Sequence, residues 1–220
     1  MKNGIRFIVL LATMWSTPAQ NLGVSANCAT NPPDFTKMSY KEADEASWKE
    51  DNLIGTGWKR ICPEYVTNLV NELRTGQLDN DRKVLVIWLL GEFWLYGKLQ
   101  AADTSTVEVF IEYIDLKATK FDPKGRARRW GDYPAQEALM YKVRAPAANP
   151  ILQHLPTEGN ELRRHLMCEV LRHVESWKGK LFDAAYGKAT AQSQVEHELA
   201  EEPDSLKRAN LKAALKELEK

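Results

Sequence analysis

From Cys62 to the carboxyl end, apolar residues recur at helical spacing, with no convincing alternation of period two over four or more residues. That pattern argues for an all-α domain over 62–220. Breakers place its helices. Pro63 opens a helix over 63–75, with Tyr65, Val66, Leu69, Val70 and Leu73 on one face, and Gly76 closes it. After Asp79-Asn80-Asp81 a second runs to Tyr96, and its centre, Val84 to Leu90, is apolar all round, as in a helix packed between neighbours. Asp103, Thr104 or Ser105 caps a third over 105–117, with Val107, Phe110, Ile111 and Ile114 aligned. Pro123, Gly125 and Gly131 then make 117–133 a loop, longer than most helix connections. Helices are expected again at 134–144, 148–155, 159–175, 177–189 and 204–219, while Thr190–Pro203 is compatible with a helix but lacks a wide apolar face.

The second helix of each expected pair carries a shared pattern: a basic residue, then apolar positions at +3, +4, +6, +7 and +10. Lys83 is followed by Val86, Ile87, Leu89, Leu90 and Phe93, with Gly91 at +8. Arg164 is followed by Met167, Cys168, Val170, Leu171 and Val174. Arg208 heads a weaker copy through Leu211, Ala214, Leu215 and Leu218, and Ala135, Ala138 and Leu139 form a copy without a basic head. On these residues, and best over Lys83 to Glu92, the chain resembles the HEAT and armadillo class of α-solenoids. The resemblance implies a right-handed stack of about four antiparallel helix pairs that bury a continuous core between neighbours. This chain departs from the class in its bulky core residues, in having Gly91 in one copy, and in copies spaced 49, 32 and 44 residues apart.

The amino end reads as an export signal over 1–26. Lys2 and Arg6 precede the nine-residue apolar run Phe7–Trp15, about half of the roughly 20 residues needed to span hydrocarbon. Small residues allow cleavage after Ala19 or Ala26, the second being preferred, and no later stretch is long enough to span a membrane. Residues 27–61, with Asn31-Pro32-Pro33 and the polar Lys41–Asp51, form a flexible linker with one short helix at most. Export would let Cys28 and Cys62 pair, leaving Cys168 as a small buried hydrophobe in its helix. Tethering by an uncleaved signal or a lipidated Cys28 is the alternative localisation, although Asn27 stands where lipid processing takes Gly, Ala or Ser.

Thirty basic and thirty acidic residues leave no global field to recruit nucleic acid or an anionic membrane, so any electrostatic partner is met locally. The loop supplies such a place. Lys117, Lys120, Lys124, Arg126, Arg128 and Arg129 against Asp122 give a local charge of +5, beside Trp130 and Tyr133. Guanidinium groups next to aromatic rings suit a peptide or anionic ligand through charge-assisted hydrogen bonds and stacking. Residues Glu196, Glu198, Glu201, Glu202 and Asp204 make a complementary local −5, able to pair with the loop within one molecule or between two.

His165, Glu169 and His173 stand at i, i+4 and i+8, a set of metal-ligand residue types. The two imidazoles are about 12 Å apart along a helix axis and cannot share one ion. No nucleophile elbow, phosphate loop, dinucleotide fingerprint or C-x-x-C pair occurs. The expectation is an exported helical-repeat protein without a cofactor, binding a protein or peptide partner as a scaffolding module. The alternative is an extracytoplasmic enzyme, metal-dependent through His165, Glu169 and His173.

Overall fold

A computed structural model describes residues 37–38, 42, 63–75, 77–95, 104–120, 131–176 and 190–220. From Pro63 on, these form eight α-helices and no strand: α1 Pro63–Arg74, α2 Asn80–Leu95, α3 Thr104–Glu112, α4 Pro134–Glu137, α5 Ala148–His154, α6 Glu161–Ser176, α7 Ala191–Glu201 and α8 Ser205–Leu218. The described residues are therefore all-α. The signal-like segment, Cys28, Cys62 and the helix expected at 177–189 lie outside the described residues.

Side chains that satisfy free backbone N–H groups start several of these helices. Asp79 Oδ1 accepts from the Arg82 N–H at 2.8 Å, Asn160 Oδ1 from Arg163, Thr190 Oγ1 from Ser193, and Asp204 Oδ1 from both Leu206 and Lys207. Those last two bonds hold the Asp204 carboxyl below its ordinary range, the Lys207 N–H contributing most. Pro134 opens α4, where a missing N–H leaves nothing unsatisfied.

Two expectations are corrected, and one left open is decided. The helix placed at 105–117 ends at Glu112, because Arg163 takes the carbonyls of Ile111 (3.1 Å) and Glu112 (2.9 Å) while Tyr113–Asp115 tighten into a turn. The expected helix at 134–144 is α-helical only to Glu137, and Ala138–Val143 continue as a π turn. The polar stretch after Thr190 is helical, since Ala191 and Val195 alone supply a narrow, fully buried edge.

The repeat pattern marks buried positions. Val86, Ile87, Leu89, Leu90, Phe93, Met167, Cys168, Val170, Leu171, Ala135, Leu139, Leu211 and Ala214 have no exposed surface. Arg164 and Arg208, at the heads of their copies, donate backward to backbone: Arg164 Nη1 to the Glu158 carbonyl, and Arg208 Nη1 to those of Leu199 and Glu202. Lys83 instead lies 5.4 Å from the centre of the Tyr113 ring. In the copy running through α4, position +10 is Lys142 where the others have Phe93, Val174 and Leu218. The π turn supplies one more residue, and Val143 is buried in its place.

Besides contacts between chain neighbours, such as α1 with α2, α5 with α6 and α7 with α8, the elements make two series of contacts. Along the even-numbered helices, α2 packs on α4 and its π turn, these pack on α6, and α6 packs on α8; among the odd-numbered, α1 meets α3, α3 meets α5, and α5 meets α7. One hydrophobic cluster runs through both, from Val66 in α1 to Ala214 in α8. Where α2 meets the π segment the helices come close: a Cβ on Gly91 would stand 3.2 Å from Ala138 Cβ and 3.0 Å from Lys142 Cδ.

Candidate functional site

The base of the 117–133 loop is closed by its own ends. The Ala118 N–H donates to the Asp132 carbonyl at 2.8 Å, Lys117 pairs with Asp132, and the Gly131 N–H donates to Glu137 Oε1 at 2.9 Å. Ala118 is buried, and Thr119 Oγ1 hydrogen-bonds Asp81 at the start of α2. The loop thus leaves from, and returns to, fixed points at the amino ends of α2 and α4. Lys120 is exposed beside this base, and Tyr133 packs half-buried against the core. Lys124, Arg126, Arg128, Arg129 and Trp130 lie outside the described residues.

A row of polar and aromatic contacts crosses the even-numbered helices. The half-buried Trp88 of α2 stands 6.0 Å from the Lys142 ammonium, which is ion-paired with Glu92. Next to Lys142, Tyr141 meets the His173 ring of α6 edge-on, with centroids 4.6 Å apart. Further along, Gln136 donates to Glu169 Oε2 at 2.7 Å, Glu169 faces His165 at 3.7 Å, and His165 Nδ1 lies 3.0 Å from Glu217 of α8. Lys220 closes the row on Glu217 at 2.8 Å; its hydrogen bond and that of His165 push the Glu217 carboxyl down to about 2.

The residues picked from the sequence are therefore separated by their neighbours rather than gathered. His165 is engaged by two carboxylates on different helices, whereas His173 packs on Tyr141 two turns away. No group of three or more His, Cys, Asp or Glu among the described residues is placed to hold a metal ion. Cys168 is buried with its thiol pushed up to about 12 by burial, which makes it a poor nucleophile. Burial also raises the Glu198 carboxyl in the acidic segment, while Glu196 and Glu201 on the same helix are exposed. Among the described residues no helix is long and apolar enough to cross a membrane.

Sequence reading passed over Glu92, Gln136, Tyr141, Lys142 and Glu217. One signal was present: Glu92 is a lone carboxylate at the end of an all-round apolar run, and such a group needs a partner. Chemically, the row consists of aromatic rings and paired charges, of which Tyr141 is 46% exposed while Glu92 and Gln136 are buried.

No family model matches the chain, and neither a curated protein nor a solved structure matches it.

Proposed function

We propose that this chain is an exported helical-repeat protein of the HEAT-like kind, with about four antiparallel helix pairs in a right-handed stack, acting as a protein-binding or scaffolding module. Contact with the partner falls on the 117–133 loop and the adjoining face of the even-numbered helices. The observation that carries this reading is the closed loop base. The ends of a strongly basic segment are hydrogen-bonded at Ala118–Asp132 and Gly131–Glu137, which brings both ends to the helices. Alternating contacts, α2 to α4 to α6 to α8 beside α1 to α3 to α5 to α7, favour a stack of pairs over a closed bundle. An extended surface of that kind binds through its groove and inserted loops.

Affinity capture from the chain's own extracytoplasmic extract tests the reading. A partner should be held by the mature protein and lost when Arg126, Arg128, Arg129 and Trp130 are all changed to Ala, with thermal unfolding unaltered. Equal capture by both proteins would remove the loop from the account.

A further inference from the structure

Three departures from regular backbone and packing fall within seven residues. Ala138–Val143 form a π turn, and the next residue, Arg144, has φ 64° and ψ −128°, the one positive φ on a non-glycine residue among those described. Tyr141, at the crest of the turn, is an aromatic ring left nearly half exposed at 46%. A side chain at that φ is strained, and single π turns mark places where a helix carries one residue more than its packing register needs. The surroundings hold the segment from both sides. Lys142 is tied to Glu92 of α2, Tyr141 to the His173 ring of α6, and the Arg144 N–H donates to the Leu139 carbonyl at 2.8 Å.

We propose that Ala138–Arg144 is a two-state hinge, in which the π turn exchanges with an α turn that relieves the Arg144 corner and releases Tyr141 from His173 and Lys142 from Glu92. The exchange is local in hydrogen bonding. Each carbonyl trades its i+5 donor for its i+4 donor: the Leu139 carbonyl passes from the Arg144 N–H to the Val143 N–H, the Ala138 carbonyl takes the Lys142 N–H, the Glu137 carbonyl takes the Tyr141 N–H, and the Arg144 N–H turns to the Met140 carbonyl. Ala138, set against Gly91, and Leu139, fully buried, stay in place as the fixed end. Ala145 and Ala147, also buried, fix the other end. Because Tyr141 and Lys142 link α4 to α6 and α2, the hinge couples the spacing of three neighbouring helices to whatever contacts its exposed ring.

Nitrogen-15 relaxation dispersion and saturation transfer on the full chain test this, since together they cover exchange from microseconds to tens of milliseconds. Exchange should be confined to the amides of Leu139–Ala145, with matching broadening of the Tyr141 and His173 rings. Arg144→Gly, which takes the positive φ without strain, should cut the minor population at least several-fold. Glu92→Gln, which loosens the anchor on Lys142, should raise it. An absence of exchange at these amides in both measurements, or exchange to which Arg144→Gly and Glu92→Gln are indifferent, overturns the hinge.

Discussion

Glu92 and Lys142, 50 positions apart, form an ion pair with side chains only 11% and 17% exposed, and they do so where Gly91 lets α2 approach the π turn. The glycine at +8 of the first repeat copy and the Lys at +10 of the second are thus two halves of one contact. Breaking the pair from one side leaves the other charge half-desolvated, so Glu92→Ala should cost about 2 kcal/mol. Replacing both residues by Met should recover most of that loss, because paired charges and apolar groups of similar volume are close in free energy at such a site. Urea denaturation of the two single variants and the double checks this; a double variant as weak as the sum of the singles contradicts it.

Gly91 itself is expected to tolerate little. Alanine there gains roughly 1 kcal/mol of helix propensity but meets Ala138 at 3.2 Å, so Gly91→Ala should be near neutral. Gly91→Val adds bulk with no room for it, and a loss of about 2 kcal/mol is expected in the same denaturation assay.

Arg163 joins α6 to the end of α3 with its charge fully used: the carbonyls of Ile111 and Glu112, the Asp115 carboxylate at 3.0 Å and Glu158 at 2.8 Å. Burial opposes the charged guanidinium, yet Glu158 and Asp115 more than offset it and raise its affinity for the proton. Arg163→Ala should lower stability by about 2 kcal/mol, and Arg163→Lys should recover less than half, since an ammonium cannot reach the carbonyls and both carboxylates in one plane.

The carboxyl-terminal helix has an acid limit. Glu217 titrates lower folded than unfolded, so its contribution is complete above the ordinary glutamate range and is lost as pH falls through that range toward about 2. Thermal unfolding of wild type and Glu217→Gln should therefore differ at pH 6 and converge by about pH 2. A gap that stays constant with pH would show that the lost stability is not electrostatic.

Much of the helical layout is legible in the sequence. The starts of α1 and α2 follow from Pro63 and Asp79, those of α4, α6 and α8 fall close to the expected 134, 159 and 204, and the buried faces follow from apolar spacing. The ending of α3 is not legible, because it depends on Arg163 from a helix 50 residues further on. Nor is the π turn. An α pattern over 134–144 reads smoothly until Lys142 must meet Glu92 and Val143 must reach the core. At the candidate site the basic character of 117–133 is plain from composition, but its closed base depends on Ala118 meeting Asp132 across the loop. The His165, Glu169 and His173 spacing is legible too; the carboxylate on α8 and the ring on α4 that divide the set come from elsewhere in the chain.

Hydrogen–deuterium exchange of the protein with and without any partner that it captures tests the binding account most directly. The account predicts protection over 117–133 and along the solvent side of α2, α4 and α6, with α1, α3, α5 and α7 unchanged. Protection confined to the odd-numbered helices, or none on the loop, would contradict it.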